Sequence, residues 1–213
     1  MYADQRKVVD LDTNLLAVGE VMAEAAGDSL PLRQPTSLKN PEGTEISVQK
    51  KSFDDNAGEV TAIVMEKIAK SEEVNIAFQW RDGAPARTNF QADMKLFLET
   101  ISKGGNLSII LKAKDGERVI PRLQITNGGA ASLVQSLDQV YRLGELPMEK
   151  FFVLSIRVNY DERKVRIFVN NEPLGDEVPL ESEGVVTNMS ISCSDVGTSR
   201  RVVIGGLTAL EAY

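Results

Sequence analysis

The sequence predicts an all-β protein, an antiparallel β-sandwich with a short N-terminal helix or arm and one or two short helical turns. Three observations carry this expectation. From Thr44 onward apolar residues mostly alternate with polar ones, turn-forming residues recur about every ten positions, and few segments keep a helical period. Many short strands joined by tight turns bury one face each, and two such sheets packed face to face bury both.

In chain order, the first segment is ambiguous. Leu11, Leu15, Val18, Met22 and Ala25 recur at three- and four-residue spacing, with Asp12 or Thr13 placed to cap and Gly27 to stop a short amphipathic helix. The alternative is that "KVVDLD" is a first strand followed by a covering segment. Pro31, Pro35 and Pro41 make the next stretch a loop or irregular edge. This change of texture places an arm at residues 1–30 and the sandwich domain at 31–213. "EISVQKK" alternates Ile46 and Val48 with polar neighbours, whereas "EVTAIVMEKI" is dense enough to be a doubly buried strand or a helix. Val74, Ile76, Phe78 and Trp80 share one face of "VNIAFQW", which directs Trp80 into the core. "RDGAPAR" then turns the chain, and "DMKLFLETI" and "NLSIILKAK" follow as strands. Pro121 in "RVIPRLQI" points to an edge or bulge, because proline donates nothing to a ladder. Leu133, Leu137, Val140 and Tyr141 have helical spacing, with two strands split by a loop as the alternative.

The cleanest pattern is "FFVLSIRVNYDERKVRIFVNNEPLGDE", residues 151–177. Leu154, Ile156 and Val158 alternate with Ser155, Arg157 and Asn159; Asp161-Glu162-Arg163 turns the chain; Val165, Ile167 and Val169 alternate with Lys164, Arg166 and Phe168. This is a hairpin with one buried face, and Asn170-Asn171 suits a second tight turn because asparagine tolerates positive φ. The apolar positions belong to a core, which leaves Arg157, Arg166 and Phe168 on the other face. "VTNMSISCSD" and "RRVVIGGLTALEAY" close the chain as two more strands.

Composition excludes several functions. Of 213 residues, 42% are apolar and 26% charged, so a sizeable core can be buried, and the net charge of -7 without basic clusters argues against nucleic acid. No apolar run approaches the roughly 20 residues of a membrane-spanning helix. "MYADQRKVVDLDTNLL" has no signal-peptide pattern, so the protein is expected to be cytoplasmic, or extracellular or periplasmic if an export signal was removed. The single cysteine, Cys193, alternates in phase with Met189 and Ile191 and reads as a buried small hydrophobe. The absence of histidine removes the usual partner of a nucleophilic Ser or Cys and the commonest zinc ligand.

The 151–177 hairpin resembles the penultimate hairpin of laminin-G-like and concanavalin A-like jelly rolls, and "VVIGGLTALEAY" resembles their last strand, which returns beside the first. Phe151 or Phe152 stands where such domains often carry Trp. The resemblance implies a jelly roll whose partner is a glycan or a protein surface. It also raises two alternatives, a glycoside hydrolase or polysaccharide lyase with an unusual histidine-free site, and a structural subunit of a surface layer or particle. Retaining hydrolysis needs two carboxylates about 5 Å apart. No Glu-x-Asp-x-Glu strand is present, and Glu181-Ser-Glu183 is a fragment of one at best. A non-catalytic binding module is therefore expected, with Phe90, Tyr141, Arg157, Arg166 and Phe168 as candidate carbohydrate-binding residues. Calcium is the cofactor the resemblance raises, with Asp54, Asp55 and Asn56 of "FDDNAGE" offering oxygen ligands in what is also a good turn.

Overall fold

A computed structural model describes residues 5–21, 23, 30–53, 58–67, 73–80, 88–99, 106–194 and 200–212. Those residues form two sheets whose neighbouring strands are all antiparallel. The early strands are β1 (Gln5–Leu11), β2 (Gly19–Glu20), β3 (Ser37–Lys39), β4 (Thr44–Ser52), β5 (Glu59–Lys67) and β6 (Val74–Gln79). The middle ones are β7 (Asn89–Leu98), β8 (Asn106–Lys112), β9 (Arg122–Ile125), β10 (Ala130–Val134) and β11 (Val140–Glu145). The last are β12 (Phe151–Asn159), β13 (Lys164–Val169), β14 (Glu172–Pro173), β15 (Val178–Pro179), β16 (Asn188–Ser194) and β17 (Arg200–Ala212). The larger sheet runs β14-β13-β12-β7-β17-β5-β4-β2, with β1 also on β17 and β15 also on β13, and the smaller runs β11-β10-β9-β8-β16-β6-β3.

Alternation places the core. Leu154, Ile156 and Val158 of β12, Val165 and Ile167 of β13, and Phe90, Met94 and Leu96 of β7 join Phe78, Ile109, Leu123 and Ile191 of the smaller sheet in one buried cluster. Trp80 and Cys193 are in that cluster, 2% and 1% exposed, as their phases predict. β5 is the doubly buried strand: Ala62, Ile63, Val64 and Met65 are all fully buried. Its pairing with both β4 and β17 settles the choice between strand and helix. Pro121 precedes β9 and stands outside the ladder, where its missing donor costs nothing.

The two helical expectations resolve into their alternatives. "KVVDLD" is strand β1, paired with β17, and what remains of the helical spacing is one 3-10 turn at Thr13–Leu15, capped by the Asp12 side chain accepting from the Asn14 N–H. Met22 and Ala25 lie outside the described residues. The segment around Leu133 is the β10–β11 hairpin, with Leu137 98% exposed at its tip. Each apolar set is too short to distinguish period 3.6 from two strands and a loop. No described helix is long and apolar enough to cross a membrane.

The long strand β17 joins two parts of the larger sheet. Its first half pairs with β5 and its second with β1, on the same side, and the register against β7 shifts between Ile204 and Gly206. The fully buried Thr13 closes that junction: its hydroxyl lies 2.7 Å from the Thr61 carbonyl and 3.0 Å from that of Gly205, sharing one proton between two strands.

Candidate functional site

Outward-facing residues of β13, β12 and β7 meet by register on the larger sheet. Arg157 lies directly opposite Arg166 on one side and Gln91 on the other; Asn159 opposite Lys164 and Asn89; Ser155 opposite Phe168 and Asp93. Because side chains two apart along a strand share a face, these three transverse rows form one surface on the side away from Ile156 and Val158. Asn89, Gln91, Arg157, Asn159, Lys164, Arg166 and Phe168 of this surface border a groove of about 470 Å³.

Arg157 is its central feature. The guanidinium carbon sits 4.0 Å from the centroid of the Phe168 ring, a cation–π contact that orients the group and leaves Phe168 only 8% exposed. Arg157 makes no ion pair or hydrogen bond with any described residue, and its Nε is buried without an acceptor. On β7, Gln91 donates its amide to Asp93 Oδ2 at 2.8 Å, while Asp93 Oδ1 is buried and unpartnered. On β13, Arg166 and Lys164 both pair with Glu177, Lys164 at 2.8 Å, and Lys164 is also 3.8 Å from Glu162. The arrangement offers cations and amides side by side, which suits a ligand bearing hydroxyls and negative charge.

Of the sequence-predicted residues, Arg157, Arg166 and Phe168 come together here. Phe90 borders the same groove, but its ring is 1% exposed and stacked on Trp80 at 6.0 Å and 10° inside the core, so it offers no face to a sugar. Tyr141 is on β11 of the smaller sheet, packed on the core, with its hydroxyl 2.6 Å from the Gln139 amide. Asp54, Asp55 and Asn56 lie outside the described residues. Glu181 accepts from Gln135 and Gln139, at 3.1 and 3.0 Å, and belongs to a surface network.

Sequence reasoning missed a second feature of the same face. Phe151, Phe97, Val203 and Val64 stand in transverse register on β12, β7, β17 and β5, and with Ala62 and Phe53 they form a separate apolar cluster on the outward side. Phe97 and Phe151 are 5.5 Å apart, Phe53 lies 6.3 Å from each, and Lys51 and Lys95 stand over Phe53 and Phe151 at 5.2 and 4.9 Å. The available signal was broken alternation: "KLFL" and "FF" put apolar residues in both phases, which marks a strand covered on both faces. Beyond the cluster, Arg201 has its pKa raised above the ordinary arginine value by its hydrogen bond with Glu99.

The strand order, the paired termini and the two faces define a concanavalin A-like jelly roll. Its likenesses extend over diverse proteins. No family model matches the chain. A curated relative, Exportin-T of Aspergillus oryzae (strain ATCC 42149 / RIB 40), is 25% identical over 201 residues, covering 82% of this chain, which spans only 18% of that protein. Among solved structures, a sialidase superposes with a TM-score of 0.63 at 10% identity over 81% of this chain and 16% of that one. The conserved carbohydrate esterase of Shiga toxin-encoding bacteriophage phi24B gives 0.58 at 11% identity, covering 81% and 91% of the two chains. The cellulose induced protein Cip1 gives 0.57 at 11% identity, covering 87% and 96%. Likenesses at these identities establish the fold.

Proposed function

We propose that this chain is a carbohydrate-binding jelly-roll module whose glycan lies along the outward face of the larger sheet, in the groove centred on Arg157. The observation that carries this reading is the guanidinium held over Phe168 with no hydrogen-bond or ion-pair partner among the described residues, flanked by the amides of Asn89, Gln91 and Asn159. Amides donate and accept like the hydroxyls they would meet, and a preoriented guanidinium loses little freedom on binding. Two of the similar folds, the sialidase and the carbohydrate esterase, act on carbohydrates by name, which supports the ligand class. The test is a glycan array probed with the native protein and with Arg157→Gln and Asn89→Ala. Each variant removes charge-assisted or amide hydrogen bonds at an outward-facing position, so binding should weaken about tenfold or more while the thermal midpoint stays within a few degrees. Unchanged binding in both variants would move the site elsewhere. Release of reducing ends or unsaturated products from the bound glycan would make the groove a catalytic one.

A further inference from the structure

Resting on that reading, we infer that the glycan is acidic, and that Glu177 occupies the place of its carboxylate until the ligand arrives. Lys164 and Arg166 are neighbours on one face of β13, and a single carboxylate spans them: Glu177 Oε1 is on Arg166 and Oε2 on Lys164. That is how the carboxylate of a uronic acid would sit on two adjacent cations, one oxygen on each. Arg166 and Arg157 are directly opposite in the ladder, an arrangement of like charges that is unfavourable unless an anion lies between or beside them. Glu177 neutralises the first and leaves Arg157 without an ion pair among the described residues.

Glu177 is built to let go. It follows Gly175, whose positive φ of 74° and closeness to Leu143, where an added Cβ would approach the backbone to 2.7 Å, fix the loop between β14 and β15. The Leu174 N–H donates to the Ile167 carbonyl at 2.8 Å, and Val178 pairs with Val165, so the backbone is anchored on both sides of Glu177. Only the side chain, 35% exposed, has to rotate. A half-exposed ion pair contributes little and is readily exchanged for another carboxylate. Glu162, which lines the groove, stands 3.8 Å from Lys164 and touches no other described cation there, while on β7 Asp93 is held by Gln91, which orders the ligand's acid group toward β13 and its hydroxyls toward β7.

Titration calorimetry of the native protein, Glu177→Gln and Arg157→Gln would decide this, using uronic acid tetrasaccharides (galacturonate, mannuronate, guluronate and hyaluronan), neutral cello-, xylo- and mannotetraose, and a tetraglutamate peptide. At least one uronide should bind, roughly three- to tenfold tighter in Glu177→Gln, because the competing carboxylate is gone. The same uronide should bind about tenfold or more weakly in Arg157→Gln. Binding of neutral sugars alone, or uronide binding that Glu177→Gln leaves unchanged, overturns the inference and keeps the glycan groove. Equal binding of tetraglutamate assigns the site to acidic peptides and overturns both. Binding of none of the probes also overturns both.

Discussion

Two carboxylates, Glu211 and Glu177, show how burial decides what one residue type does. Glu211 is fully buried in the sandwich, its two oxygens accepting from Trp80 Nε1 at 2.9 Å and from Arg6 Nη2 at 2.7 Å. Arg6 lies directly opposite it in the β1–β17 ladder, so the pair ties the first strand to the last and orients the indole that stacks on Phe90. Water cannot replace the partner of the Trp80 N–H, since Trp80 is 2% exposed and Glu211 0%. Glu211→Ala leaves the buried Trp80 N–H without its acceptor and removes the ion pair of Arg6, whose side chain keeps 30% exposure, and should destabilise the fold by about 2–3 kcal/mol, measured by urea unfolding monitored through Trp80 fluorescence. A loss of less than about 1 kcal/mol would mean that water reaches the pair, as it does for an exposed one. Glu177, at the groove's rim, is bound by two cations yet should be nearly dispensable to stability. Neither role was legible in the sequence, where Glu211 sits near the end of a long strand and Glu177 just before a short one, and only three-dimensional pairing separates them.

At the scale of elements, the 151–177 hairpin was legible because three signals agreed: strict alternation, a polar turn, and asparagines where positive φ is required. Asn170 and Asn171 have φ of 50° and 68°, and the Val169 and Glu172 pair closes the two-residue turn. Asn170 does more, since its side chain accepts from the Val153 N–H at 2.9 Å and so clips the turn to β12. Asn171→Val puts a β-branched side chain in the left-handed region and should cost about 1–2 kcal/mol, whereas Asn171→Gly should be neutral or better. Thermal unfolding of the two variants checks the ordering; equal midpoints would show that the turn relaxes to another type. Where signals disagreed, the pattern failed. The Leu133–Tyr141 segment has helical spacing only because a short loop happens to separate two strand faces; β5, whose sequence allows a doubly buried strand or a helix, is the strand, and it lacks alternation because its outward Ala62 and Val64 are buried in a cluster with Val203 and Phe97. The aromatic cluster is the same lesson at a longer range: Phe53, Phe97 and Phe151 are separated in sequence and adjacent only through the folding of the sheet.

Across the whole molecule, the topology makes the chain's two ends interdependent. β17 is the spine of the larger sheet, pairing with β7 along its length and with β5 and β1 in succession on its other side. The sequence's change of texture near residue 30 suggested an arm followed by a domain, and the arm's first strand contributes Val8, Val9 and Leu11 to the core, all 3% exposed or less. We propose as a test of that boundary the removal of residues 1–12. If the arm is separable, the remaining chain should unfold with a thermal midpoint within a few degrees of the native protein. Three observations argue for the opposite outcome. Removing three buried aliphatic side chains forfeits about 1.5–3 kcal/mol each. Glu211, fully buried, loses its ion pair with Arg6. The second half of β17 becomes an open edge beside the strand that carries Gln91, unpaired and prone to association. Their sum approaches the roughly 5–15 kcal/mol that holds a whole domain together. The truncated chain is therefore expected to lose its cooperative transition and to associate, as followed by calorimetry and light scattering. The groove should fail with it, since β17 pairs directly with β7 and Gln91 faces Leu210 in that register.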